Sequence, residues 1–230
     1  MRAALVTGGS AGLGRAFAHA LAEDGWRVVV DGRDAGRLTA AADHPGILPV
    51  AGDVADDWHR GALAAAVERE GRLDLLVHNA SSLGPSPLPR LVDTTPVDLE
   101  EVWRTNVAAP LALTADLLPM LADCGGTLLS ISSDAGVEHY EGWGLYGASK
   151  AALDHLTLTL GVENPTVRAY AVDPGDMRTR MHQDAYPGED LSDRPLPETV
   201  VPRLLALLEQ RPPSGRYRVS EIEVPVAVGG

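Results

Sequence analysis

Short runs of apolar residues alternate with longer stretches of helical periodicity along most of this chain. Ala3–Thr7, Arg27–Asp31, Ile47–Ala51, Leu73–His78, Thr127–Ser132 and Val167–Val172 have the length and content of buried strands. Between them, Leu13–Asp24, Ala35–Ala42, Asp56–Glu70, Leu99–Ala122 and Tyr146–Leu160 predict helices by length and period. Gly25, Gly71 and Gly161 stand where C-terminal caps belong. Alternation at this spacing predicts parallel strands joined by right-handed crossovers. The fold class expected is α/β, a doubly wound parallel sheet in a single domain over residues 1–230.

Two stretches break the rhythm. Ser81–Pro96 is proline-rich and follows the fourth strand, and Asp176–Pro197 is acidic and follows the sixth. Both leave the carboxyl ends of strands, where open α/β sheets bind ligands. Loops of this length are more often functional than idle, and residues 176–197 read as a lid over a substrate site.

Composition narrows the function. A formal charge of −13 argues against nucleic acid, which needs a basic stripe, and against anionic membranes. Cys124 is the sole cysteine, and the histidines lack ligand spacing, so neither a disulfide framework nor a metal site is expected. No cleavable leader follows Met1, and no run approaches about 18 uninterrupted apolar residues. A cytoplasmic protein is the expectation.

Candidate chemistry enters at two motifs. Thr7-Gly8-Gly9-Ser10-Ala11-Gly12-Leu13-Gly14 joins the first strand to the first helix. Glycines there let backbone N–H groups approach a pyrophosphate, and the helix dipole favours that anion. The spacing differs from the Gly-x-Gly-x-x-Gly of the usual Rossmann fingerprint. The second motif is Tyr146-Gly147-Ala148-Ser149-Lys150, which holds the only lysine among the chain's 19 lysine and arginine residues. Positions i and i+4 share a helix face, so phenol and ammonium lie side by side. A tyrosine at pKa about 10 is a poor acid or base at neutral pH, and a nearby ammonium lowers that value.

Together these motifs resemble the short-chain dehydrogenase/reductase family, across about residues 3 to 180. Thr7-Gly8-x-x-x-Gly12-x-Gly14 is similar to its cofactor turn, and Tyr146-x-x-x-Lys150 to its active-site pair. Ser133, thirteen residues before Tyr146, has the family's spacing for the catalytic serine and is selected over Ser132. Asn106 matches the tetrad asparagine, and Asp53-Val54 the adenine-contacting pair. His78-Asn79-Ala80-Ser81 resembles an Asn-Asn-Ala-Gly run, with histidine and serine as departures. Pro174-Gly175-Asp176-Met177-Arg178-Thr179 resembles the segment that holds the nicotinamide carboxamide.

The resemblance implies a Rossmann-type fold and catalytic residues Asn106, Ser133, Tyr146 and Lys150. Ser133 would orient the substrate oxygen, Tyr146 would exchange its proton, Lys150 would lower the tyrosine pKa and hold the ribose, and Asn106 would fix a relay water. It implies cofactor contacts from Gly8, Ser10, Gly12, Leu13, Gly14, Arg33, Asp53, Val54, Asn79, Ala80, Tyr146, Lys150, Pro174, Gly175, Met177 and Thr179. Gly32 falls on the position that is acidic in NAD-dependent members, and Arg33 on the one that is basic in many NADP-dependent members. NADP(H) is therefore expected over NAD(H). Ala11 departs from a second basic position, and Asp31 could reach the ribose after a small shift.

Candidate pocket walls are Ser81–Leu88, Asp134–Leu145 and Met177–Pro187, with His139, Tyr140, Trp143, Met177 and His182. They point to a hydrophobic ketone or aldehyde, or packing of the lid alone; His182 reads as a surface histidine. The family also implies a homodimer or homotetramer, with Leu99–Ala122 and Tyr146–Leu160 pairing across a two-fold axis. The end around Tyr217–Val228 matches the family's last strand poorly. Two rival readings keep the fold: epimerisation or dehydration with a bound nicotinamide, and a non-catalytic NADP(H) sensor.

Overall fold

A computed structural model describes residues 1–224. Its frame is one seven-stranded sheet: β1 (Ala3–Val6), β2 (Arg27–Gly32), β3 (Ile47–Ala51), β4 (Leu75–His78), β5 (Thr127–Ile131), β6 (Arg168–Asp173) and β7 (Gly215–Arg218). The order is β3-β2-β1-β4-β5-β6-β7, with every pairing parallel. Val6 of β1 sits opposite Val30 of β2 and Val77 of β4, so the winding reverses at β1 and β4. The crevice at that switch point is where doubly wound sheets take ligands.

The helices are α1 (Gly12–Glu23), α2 (Ala35–Ala41), α3 (Asp57–Glu70), α4 (Pro96–Trp103), α5 (Ala109–Asp123), α6 (Gly144–Glu163), α7 (Arg180–Ala185) and α8 (Pro197–Gln210). One core layer joins Phe17 and Leu21 of α1 to Leu204 and Leu207 of α8 over Val6, Val30 and Val77. The other joins Leu63 of α3 to Leu113, Leu117 and Leu121 of α5 over Leu5, Val29 and Leu76. Burying one such leucine contributes about 1.5–3 kcal/mol. Gly71 caps α3 in the left-handed conformation the sequence expects.

Several elements differ from expectation. Gly161 does not end its helix, since α6 runs on to Glu163. A Cβ there would lie 2.6 Å from the Ala169 Cβ, so this glycine serves close packing on β6. Helix α8 is absent from the predicted elements, and its Pro197 occupies the first turn, where a missing N–H does no harm. The stretch Leu99–Ala122 is not one α-helix: α4 and α5 are joined by a π-helical turn, Arg104–Ala108. Pro110 has no N–H, so the α-helical bond to the Asn106 carbonyl cannot form. The combined Pro96–Asp123 helix is long and apolar enough to cross a membrane. Here it packs as a core helix through Leu113, Leu117 and Leu121. The last-strand expectation at Tyr217–Val228 is met in part by β7; positions 225–228 lie outside the described residues.

Candidate active site

The carboxyl ends of the strands open onto one cleft of about 500 Å³. Gly8, Ser10, Gly12, Leu13, Arg33, Asp53, Val54, Asn79, Ala80, Ser133, Tyr146, Lys150, Pro174, Gly175, Met177 and Thr179 line it. Gly14 and Asn106 are not in its wall; they stand behind it, and both shape it through hydrogen-bonded or packed neighbours.

The glycine turn is built around Thr7 and Asn79. The Thr7 hydroxyl accepts the Asn79 and Ala80 N–H groups at 3.0 Å each, and the Asn79 amide donates to the Thr7 carbonyl at 2.8 Å. The Gly8 backbone, at φ +70°, and Gly14 fold against this staple. A Cβ on Gly14 would stand 2.4 Å from Asn79 Nδ2 and 2.5 Å from the Gly8 oxygen, so no larger residue fits. The result is a tight cradle at the N-terminus of α1, the arrangement that binds phosphate.

Asp31 borders the cleft with both carboxylate oxygens already engaged. It is buried, its Oδ1 accepts the Gly8 N–H at 2.6 Å, and its Oδ2 lies 3.2 Å from His59 Nε2. Arg33 is exposed at the same cleft and makes no ion pair among the described residues. Asp34, its sequence neighbour, instead caps α2 by accepting the Arg37 N–H at 2.9 Å.

Tyr146 and Lys150 lie in the first turns of α6, with the Lys150 nitrogen 5.4 Å from the Tyr146 ring centre. Lys150 is buried and donates to the Ile131 carbonyl at 2.8 Å. Burial lowers its pKa to about 8, against an opposing pull from the Asp154 charge. Burial also pushes the Tyr146 phenol up, and the charges of Asp134 and Asp173 add to that; the Ser81 and Ser133 hydroxyls act the other way. Desolvation of the phenolate therefore acts against the lowering expected from Lys150.

Ser133 lines the cleft, and its hydroxyl bonds Asp134 Oδ1 at 3.1 Å. Ser132 also borders the cleft, but its hydroxyl donates to Asp154 at 2.7 Å. Asn106, fully buried in the π turn, accepts from Ser82 N at 2.7 Å and Ser81 Oγ at 3.3 Å. It donates to the Ser82 carbonyl at 2.8 Å and Ser149 Oγ at 2.9 Å. Two acceptances and two donations exhaust an amide side chain. The side chain therefore has no free donor or acceptor for the expected relay water.

The family is decided by sequence comparison. The family model described as short chain dehydrogenase matches residues 2–190. The chain belongs to the short chain dehydrogenase family. It is an oxidoreductase of that family. The uncharacterized oxidoreductase YciK of Escherichia coli K12 is 32% identical over 219 residues, covering 90% of this chain and 86% of its own. Serine 3-dehydrogenase of Agrobacterium fabrum is 34% identical over 181 residues, covering 76% and 72%. The solved structure of a protein assigned as a short chain dehydrogenase from E. coli CFT073, complexed with NADPH, superposes with a TM-score of 0.87. It is 30% identical and covers 95% of this chain and 96% of its own.

Some parts of this short chain dehydrogenase's site escape sequence reasoning. Asp173 borders the cleft without a motif to announce it, whereas Ser82 and Tyr186 fall within the expected pocket walls. His182 is not a surface histidine: it lines the cleft, and its ring packs 5.1 Å from Tyr186. Trp143 stands 5.6 Å from Tyr146 and 5.9 Å from Tyr186, while Tyr140 lines the cleft at 48% exposure. His139 is exposed and outside the wall. His78, the departure from the Asn-Asn run, is buried against the Thr114 hydroxyl at 2.7 Å. Among the described residues no group of histidine, cysteine or carboxylates has metal-binding spacing.

Proposed function

We propose that this oxidoreductase uses NADP(H) to reduce a ketone or aldehyde, or to oxidise the corresponding alcohol, with Tyr146 exchanging the proton. The observation that carries the reading is a buried Tyr146 sharing one cleft with Ser133, Lys150 and the glycine cradle. The cradle suits a pyrophosphate, since Gly14 leaves no room for a Cβ. Gly32, Arg33 and the engaged Asp31 favour a ribose 2′-phosphate over a bare 2′-hydroxyl. The neighbour solved with NADPH points the same way.

When bound, the nicotinamide supplies the hydride. Ser133 and Tyr146 orient the substrate oxygen, and Tyr146 passes its proton to the oxygen as negative charge develops. Lys150 then favours the phenolate left behind, a charge it meets only after transfer. Met177 and Thr179 lead from the cleft into α7, within the expected lid. Trp143, Tyr186, Leu83 and Met181 make the substrate end apolar and aromatic, which suits a hydrophobic carbonyl compound. The same reading includes a homodimer across α5 and α6, where Leu111 and Val162 are exposed.

The test follows NADPH absorbance across a carbonyl panel. Tyr146→Phe keeps NADPH affinity and loses turnover by about 10²–10⁴-fold. Unchanged turnover in that variant overturns Tyr146 as the proton donor. Isomerised or dehydrated product at constant absorbance favours the epimerase or dehydratase reading; tight cofactor binding without any product favours the sensor.

A further inference from the structure

Behind the cleft lies a buried ion pair that none of the motifs explains. Asp154 follows Lys150 by four residues on α6, one turn along the same face. Its Oδ2 accepts from Ser132 Oγ at 2.7 Å and from Arg216 Nε at 3.0 Å. Its Oδ1 is buried without a hydrogen-bond partner among the described residues. Arg216 comes from β7, the strand where resemblance to the family is weakest. It donates to the Ser133 carbonyl at 2.9 Å and lies 3.6 Å from Asp173 Oδ2. Asp173 in turn accepts the Gly175 N–H at 3.0 Å. One guanidinium therefore ties together the three elements that carry Tyr146 and Lys150, Ser133, and the Pro174-Gly175 turn. Neither Asp154 nor Arg216 lines the cleft.

We propose that Asp154 and Arg216 form a positioning pair: Asp154 is the counter-charge of Lys150, and Arg216 fixes that carboxylate to the Ser133 backbone. A half-satisfied buried carboxylate is costly unless a charge uses it. Two cations border it, Arg216 in contact and Lys150 a helical turn away. The Asp154 charge opposes the effect of burial on Lys150, and Lys150 and Arg216 oppose the effect of burial on Asp154. The other ionisable groups facing this cluster are His78 from β4, Tyr146 from α6, Asp134 after β5, Asp173 from β6 and Arg218 from β7. His78 stays neutral, and Arg218 lies 4.0 Å from Asp173, so Asp154 is the carboxylate on the lysine's own helix face.

The role of the pair in turnover rests on the proposed carbonyl chemistry, but its electrostatic half is measured without it. Lys150 is the only lysine, so ¹³Cε-lysine labelling gives a single side-chain signal. The wild-type signal is expected to titrate at about 8. Asp154→Asn lowers that midpoint by about one pH unit or more, and Asp154→Glu returns it toward wild type. An unmoved midpoint in folded Asp154→Asn overturns the proposal. In turnover, Arg216→Gln lowers kcat about tenfold at unchanged NADPH affinity, and Arg216→Lys recovers part of the loss. Unchanged kcat in Arg216→Gln, or a loss that only tracks a fall in folded fraction, also overturns it. This arm decides the matter where Asp154→Asn does not fold. Absence of carbonyl reduction by the wild type removes the proposed function, and the lysine titration then decides the pair alone.

Discussion

Asp31 accepts the Gly8 backbone N–H at 2.6 Å, tying the only carboxylate of the second strand to the glycine turn. His59 takes its other oxygen at 3.2 Å. This carboxylate is engaged within the fold, while Arg33, one residue past β2, is exposed at the cleft.

Arg33→Ala is expected to weaken NADPH binding by about ten- to a hundred-fold, or about 1.4–3 kcal/mol for lost charged hydrogen bonds. NADH affinity should hardly change. Titration by tryptophan quenching or calorimetry measures both, and equal losses for the two cofactors would show that Arg33 does not read the 2′-phosphate.

Asn106 joins the π turn to Ser82 and to Ser149 on α6. Asn106→Ala leaves the Ser82 N–H and carbonyl without their partners. Chemical denaturation should show a loss of about 2–4 kcal/mol. Carbonyl reduction should fall as well, because Ser81 and Ser82 line the cleft beside Tyr146. Wild-type stability in the variant would mean that this wall is held by packing alone.

His78 gives the protein an acid-sensitive point. Burial, with help from the Lys150 charge, lowers its pKa from 6.5 to about 3. Between those values the unfolded chain binds a proton that the folded chain refuses. Stability from this group is therefore present above pH 6.5 and falls as pH drops toward 3. His78→Asn removes the penalty and should narrow the acid loss by on the order of 4 kcal/mol. Denaturation curves for the two proteins from pH 7 downward test this; parallel acid limbs would refute it.

Much of the site was legible in order along the chain. A spacing of thirteen residues selects Ser133 over Ser132; both border the cleft, and the Ser132 hydroxyl is engaged by Asp154. Tyr146 and Lys150 share a helix face because their separation is local geometry. Gly161 was misread because a cap glycine and a packing glycine look alike until Ala169 is seen across from it. Asn106 was found, but its saturation was not, because Ser82 and Ser149 lie 24 and 43 residues away.

By itself the sequence determined the α/β alternation, the parallel sheet, the glycine cradle and the order of the candidate active-site residues. These depend on periodicity and short spacing, which act over a few residues. Only the tertiary structure decided that Asp31 accepts from Gly8, that burial pushes the Tyr146 phenol up, and that Arg216 reaches Asp154 across 62 residues. Those facts depend on burial and on partners from distant elements. Desolvation and pairing set the charge of a group, and both exist only once the chain has folded.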